Sequence, residues 1–368
     1  MTPQRIGKRR LVNKRRRSKK RNSRVWIMPL GLILTVFAFY ALDPSETNIA
    51  HQFIFPSYKL HDDPETGYPL GQVEYGKGRK DMAFVSFYIL VLFFLRNFLI
   101  RVVFKRLGRY LGITSARVRC LFNEQMYLVL YTGLVGPVGL YIMYHSPTWY
   151  FNTRGMYEAY PHKTHLATTK AYYLLQAAFW AQQALVMALG LETRRRDFKE
   201  LVAHHVITVA LIGLSYRFHF TAMGVLIYVT HDISDFFLAT SKALNYIDSP
   251  LQAPVYALCI ISWVYLRHFV NLDILISVLT EFGTVGPYTL DWTAGQYKCV
   301  HSQIITLALL AGLQALNLFW LGCLVRVAHR FVVLGVAKDD REEEEEEEEE
   351  EDDEMMVMVM VQEKGIHI

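Results

Sequence analysis

The chain has 368 residues, 52% hydrophobic and 14% aromatic, and its apolar residues gather into long runs. Soluble domains of this total length would number about two; runs this long and numerous exclude that organisation and make the bilayer the solvent. The formal net charge of +5 hides an asymmetry: residues 339–354 hold fifteen Asp or Glu and one Arg, and without them 38 basic residues face 19 acidic ones, a net of +19.

Residues 1–24 contain twelve Lys or Arg and no acid. Such an arm suits anionic lipid or, in a soluble protein, nucleic acid; beside an apolar run it reads as a topology signal, and no nucleic-acid partner is expected. The run at 25–42 is followed by DPSETN, which lacks a small-x-small cleavage pattern, so a retained anchor is expected rather than a signal peptide. About twenty apolar residues span the hydrocarbon core. On that measure eight spans are predicted: 25–42, 82–104, 121–144, 171–191, 201–219, 221–240, 251–278 and 300–333. The fold class is therefore an all-α, polytopic membrane protein.

Loop charge orients it. Loop 105–119 carries Lys105, Arg106, Arg109, Arg117 and Arg119, and loop 192–200 carries Arg194, Arg195, Arg196 and Lys199. The alternate loops are poorer in Lys and Arg or balanced by acids. The positive-inside rule puts the arm and the richer loops in the cytosol, and eight spans return the C-terminus there. Residues 339–354 repel one another and are expected to be a disordered, solvated tail. The organisation expected is a basic arm (1–24), a first span and lumenal loop (25–81), a second span and basic loop (82–118), a membrane domain (119–335) and an acidic tail (336–368). Cys120, Cys259, Cys299 and Cys323 have no CxxC spacing, which argues against a disulfide framework or a zinc site.

The fifth and sixth spans carry the anomaly. LVAHHVITVALIG (201–213) holds His204 and His205, and YVTHDISDFF (228–237) holds His231, Asp232 and Asp235. Ionisable groups in hydrocarbon are costly and point to function. His204 lies five residues past Lys199, ~7–8 Å along a helix, and Asp235 seven residues before Lys242, ~10 Å. Antiparallel neighbours then bring both to similar depth in the cytosolic half. His231 and Asp235 are four residues apart and share a helix face. A histidine and a carboxylate in a low-dielectric pocket support general-base or nucleophilic acyl chemistry; the bland alternative is a satisfied network joining helices. The His162/His165 pair (HKTH) falls in a lumenal loop, and the histidines lack the full set of boxes of a di-iron enzyme, so no metal is expected. The Arg194–Arg196 and Lys199 cluster suits the phosphates of a soluble donor such as coenzyme A, or serves topology alone. Arg267 and His268, inside the seventh span, either line a tunnel or close a helix contact.

The segment RRRDFKELVAHHVITVALIGLSYRFHFTAMGVLIYVTHDISDFFLATSKALNY (194–246) resembles the signature motif of the ceramide synthases. SPTWYFNTRGMYEAYP (146–161) and YYLLQAAFWAQQ (172–183) are similar to the fungal branch. The resemblance covers roughly 82–335. It implies a six-helix TLC-type ring around an acyl tunnel in the endoplasmic reticulum membrane; loop charge has already placed both termini in the cytosol. It implies N-acylation of a sphingoid base by a fatty acyl-CoA, a co-substrate, with no further cofactor. By position His204 matches the histidine proposed to take the acyl group and Asp235 its carboxylate partner; His205, His231 and Asp232 match further motif positions. The resemblance attributes chain-length choice to about 279–299 and implies a small single-span accessory subunit and a homo- or heterodimer with a paralogue. The competing readings are a fatty acid elongase, which would show an HxxHH box where this chain has LVAHH; a non-enzymatic TLC-domain protein handling lipids or acting beside a translocon, in which the His/Asp cluster would be absent; and a transporter, which internal repeats would favour and which finds none here.

Overall fold

The structure, a computed structural model, describes residues 26–60, 73–191 and 197–334. Eight long helices follow one another: α1 (Ile27–Leu42), α2 (Asp81–Tyr110), α3 (Ala116–Tyr144), α4 (Ala167–Ala188), α5 (Phe198–Arg217), α6 (Thr221–Asn245), α7 (Gln252–Thr280) and α8 (Val300–Leu334). Each predicted span is a helix, because hydrocarbon leaves the backbone no partner but itself. Six of them are long and apolar enough to cross a bilayer by length and composition. Of the other two, α1 has 16 residues, ~24 Å of rise, and α4 carries Lys170, Gln176, Gln182 and Gln183 among its apolar residues. Successive helices alternate in direction. The ends near Tyr110, Phe198 and Asn245 form a basic end, and those near Asp81, Ala167 and Thr221 form the opposite end.

The helices α3 to α8 surround a core centred on α6, which buries Leu226, Val229, His231 and Asp232 among others. Close approach of α3 requires Gly139: a Cβ there would meet Tyr172 Oη at 2.5 Å and Val229 Cγ2 at 2.9 Å. Both α2 and α7 contain a widened π-helical turn, at Leu99–Phe104 and Tyr265–Val270. Such turns insert one residue and rotate the side chains that follow; the second contains Arg267.

Loops seal the opposite end. Glu74–Tyr75 pairs antiparallel with His165–Leu166. Beneath that ribbon a buried ion pair joins Lys170 Nζ to Asp81 Oδ1 at 2.7 Å. Tyr216 Oη and the Gly78 amide donate to Asp81 Oδ2, each at 2.8 Å. Lys170 donates to the carbonyls of Ser57 (2.7 Å) and Gly76 (2.6 Å). Every charge there has a partner, which is what makes burial tolerable.

Candidate active site

The site is assembled from five helices, α4 to α8. On α5, His204 and His205 are 6% and 8% exposed. Their rings are perpendicular, centroids 5.7 Å apart. His204 is held edge-to-face between two indoles, Trp180 of α4 at 5.4 Å and Trp320 of α8 at 5.2 Å. Its Nε2 lies 3.5 Å from Thr208 Oγ1, and its Nδ1 has no hydrogen-bond partner among the described residues. His205 Nδ1 lies 2.8 Å from the Leu201 carbonyl. On α6, His231 Nδ1 lies 2.8 Å from the Ile227 carbonyl. Carbonyls only accept, so in both of these rings Nδ1 carries the proton and a neutral ring keeps its lone pair on Nε2.

The two aspartates have separate partners. Asp232 accepts from Gln176 Nε2 and, at 3.4 Å, from Tyr172 Oη. Gln176 is itself oriented by Tyr131 Oη, which donates to its Oε1 at 2.9 Å. Asp235 pairs with Arg267 at 2.5 Å. The same guanidinium donates to Ser234 Oγ (2.6 Å), the His231 carbonyl (3.2 Å) and Asn317 Oδ1 (3.4 Å), and it stacks 3.9 Å over the Trp263 ring. Arg267 therefore fixes α6 against α7 and α8.

Two cavities meet here. One, about 470 Å³, is the more polar of the two and reaches the basic end; among apolar side chains, Arg96, Glu124, Asp197, Glu200, Asp232, Asp235, Lys242 and Arg267 line it. The other, about 410 Å³, is apolar and runs to the opposite end, between Leu211, Tyr228, Ile305 and Leu313 and under Leu290, Trp292 and Tyr297. Trp180 and His204 line both.

Several expectations change. Asp235 is bonded to Arg267 and not to a histidine, because the guanidinium reaches it from α7, a partner that helix periodicity within α6 does not reveal. His231 and Asp235 share a helix but open on different cavities, His231 on the apolar one. Of the two expectations for Arg267, the helix contact is the one seen, and the side chain also lines the polar cavity. His268 lines neither; its Nδ1 takes Gln314 Nε2 at 2.8 Å in a contact between α7 and α8. Lys199 is exposed and lines neither cavity, since it points outward from the first turn of α5. Arg194, Arg195 and Arg196 lie outside the described residues, as does the acidic tail. Sequence reasoning missed Trp180, Trp320, Gln176 and Asn317; the one available signal was an amide in an apolar span.

At the opposite end a second polar group lies outside the spans. Lys77 Nζ approaches His219 Nδ1 at 3.3 Å. Burial lowers Lys77 to about 7, against the pull of Asp81. Burial, then Lys77, Lys163 and Arg217, lowers His219 to about 4. His165 bonds Thr221 Oγ1 at 3.1 Å. Among the described residues no group of three or more His, Cys, Asp or Glu is placed to hold a metal ion.

Residues 121–326 match the TLC domain family, so fold and site together define a TLC-domain, multi-pass membrane protein. The sphingosine N-acyltransferase-like protein FUM17 of Gibberella moniliformis is 49% identical over 317 residues, 86% of this chain and 81% of that one. Ceramide synthase LAG1 of Saccharomyces cerevisiae is 46% identical, over 86% and 75%. Sphingosine N-acyltransferase lac1 of Schizosaccharomyces pombe is 41% identical, over 86% and 80%. The chain belongs to the sphingosine N-acyltransferase, or ceramide synthase, family.

Proposed function

We propose that this chain acylates the amine of a sphingoid base, dihydrosphingosine or phytosphingosine, with a long or very-long fatty acyl-CoA, giving ceramide and CoA. The observation that carries this is the position of His204 where a polar cavity meets an apolar one. An acyl-CoA has the same division, a charged hydrophilic head and a hydrocarbon chain joined at a thioester. Seated across both cavities, it presents its reacting carbon to His204.

His204 Nδ1 attacks that carbon with its lone pair. The C–N bond forms, the C–S bond breaks and CoA leaves as thiolate, giving an acyl-imidazolium whose Nε2 keeps its proton. The sphingoid amine then attacks; the amide bond forms, the imidazole is released, and the amine proton passes to Asp232 or to His231 Nε2. Asp235 and Arg267 are positioning residues, holding α6 in register. This chemistry needs no cofactor. The basic end faces the cytosol, where acyl-CoA is found, and the membrane is that of the endoplasmic reticulum. Arg194, Arg195, Arg196 and Lys199 meet the CoA phosphates as they approach. A small single-span subunit and a second synthase chain are the partners.

The test is N-acylation of a labelled sphingoid base in membranes with a panel of acyl-CoAs, comparing wild type with His204→Ala and Asp232→Asn at matched levels. Ceramide from wild type and a loss of about 10³-fold or more in His204→Ala is expected. Ceramide from both at similar rates removes His204 from the chemistry. No ceramide from wild type, with its accessory subunit supplied, removes the enzymatic reading. Intact mass of the enzyme with acyl-CoA alone separates the covalent route from direct transfer with His204 as base.

A further inference from the structure

Acyl transfer at His204 places negative charge on the thioester oxygen, and the donor that receives it must lie beside the reacting carbon. That carbon sits at the junction of the two cavities, because the acyl chain leaves it one way and the CoA the other. Besides His204, Trp180 alone among the described residues lines both cavities. Its indole Nε1 is buried and has no hydrogen-bond partner among the described residues. A buried indole N–H normally finds an acceptor. Its ring stands edge-to-face with His204, centroids 5.4 Å apart.

Most neighbouring donors are committed, and Tyr228 Oη, also without a hydrogen-bond partner among the described residues, lines the apolar cavity alone. Trp320 Nε1 donates to Asp197 Oδ2 at 3.0 Å. The Gln176 amide donates to Asp232 and Tyr172. Arg267 is directed at Asp235, Ser234, the His231 carbonyl and Asn317. The Nδ1 protons of His205 and His231 go to backbone carbonyls.

We propose that Trp180 is a catalytic residue whose indole N–H is the oxyanion donor for acyl transfer at His204. As a nucleophile's lone pair bonds to the carbonyl carbon, the C=O π electrons move to oxygen, which accepts the Trp180 N–H bond. When the tetrahedral species collapses they return, and thiolate leaves in the first step, imidazole in the second. The N–H proton is never transferred. The indole waits unpaired because its acceptor exists only during the reaction, so the interaction lowers the barrier without tightening substrate binding.

This rests on the acyltransferase reading, and the experiment separates the two. Trp180→Phe keeps an aromatic ring and removes the N–H; Trp180→His keeps a ring N–H. For each, the single-turnover rate of enzyme acylation is measured by intact mass, with affinity for a thioether analogue of the acyl-CoA, which binds but cannot react. Loss of one oxyanion donor lowers the rate about 10²–10³-fold. Trp180→Phe is expected to show that loss with thioether affinity within about threefold of wild type, and Trp180→His to recover at least about tenfold. A Trp180→Phe rate within about fivefold of wild type overturns the proposal. So does a loss of thioether affinity that parallels the loss of rate, which marks Trp180 as packing. Failure of the covalent reading shows in wild type itself, as absence of an acyl-enzyme; direct transfer forms the same oxyanion, and kcat for ceramide formation then replaces the acylation rate. A wild type without ceramide synthesis fails the parent reading and this one together.

Discussion

Replacing Arg267 with Met tests whether the membrane core depends on one guanidinium. The side chain of Arg267 is 3% exposed and pairs at 2.5 Å with Asp235, whose side chain is 30% exposed. Arg267→Met removes the cation, leaves the carboxylate, and strips donors from Ser234 Oγ, the His231 carbonyl and Asn317 Oδ1. Breaking a buried pair from one side costs about 3–5 kcal/mol. The partial exposure of Asp235 brings the expected loss to the lower end, about 3 kcal/mol. For a cooperative unit of this size that is a fall in Tm of about 6–12 °C. The assay is thermal unfolding of purified protein in one detergent, for Arg267→Met, Asp235→Asn and the double variant. The double variant is expected to be more stable than Arg267→Met alone, with a coupling of at least about 2 kcal/mol. A single-variant loss below about 1 kcal/mol, or coupling near zero, refutes the claim that the pair holds α6 to α7.

Other outcomes follow from the same structure. Burial and neighbouring cations hold His219 at about 4, below its ordinary value near 6.5. Between those values the unfolded chain binds a proton that the folded chain does not, so stability is full above pH ~6.5 and falls as pH drops toward 4. Because His219 is only partly buried, solvent screening limits the contribution to about 1–2 kcal/mol, and the fall in Tm from pH 7 to pH 5 should be shallower in His219→Gln than in wild type; parallel curves would remove His219 as the cause. Leu309 lines the apolar cavity, and Leu309→Trp should shift the preferred acyl-CoA to shorter chains, each excluded methylene costing about 0.8 kcal/mol. An unchanged product profile by mass spectrometry would take the acyl chain out of that cavity.

The helices were legible because hydrocarbon imposes one rule on every residue, although six of the eight predicted spans, and not all eight, are long and apolar enough to cross a membrane. The site was partly legible for the same reason: His204, His231, Asp232 and Asp235 stand out where ionisable groups are expensive. Their partners were not. Arg267 is 32 residues from Asp235, and the π-helical turn that aims it leaves no mark in hydropathy. His204 is gripped by Trp180 and Trp320, two of six tryptophans, and an indole in an apolar run looks like lipid-facing bulk until the helices are placed. His268, next to Arg267 in sequence, points to a different helix contact, because adjacent residues on a helix face about 100° apart.

The pairing of Asp81 with Lys170 has a consequence for where this protein begins as a folding unit. The family match opens at residue 121, yet Lys170, inside the matched region, is neutralised by a carboxylate 89 positions earlier and by carbonyls of Ser57 and Gly76. A chain cut at the start of the TLC-domain match would leave the Lys170 ammonium without the Asp81 carboxylate. During synthesis α2 is made first and must wait, its aspartate half-satisfied, until α4 and Tyr216 of α5 arrive to complete the shell. The matched domain is therefore smaller than the set of residues that surrounds Lys170, and an expression fragment that keeps that set starts before Ser57.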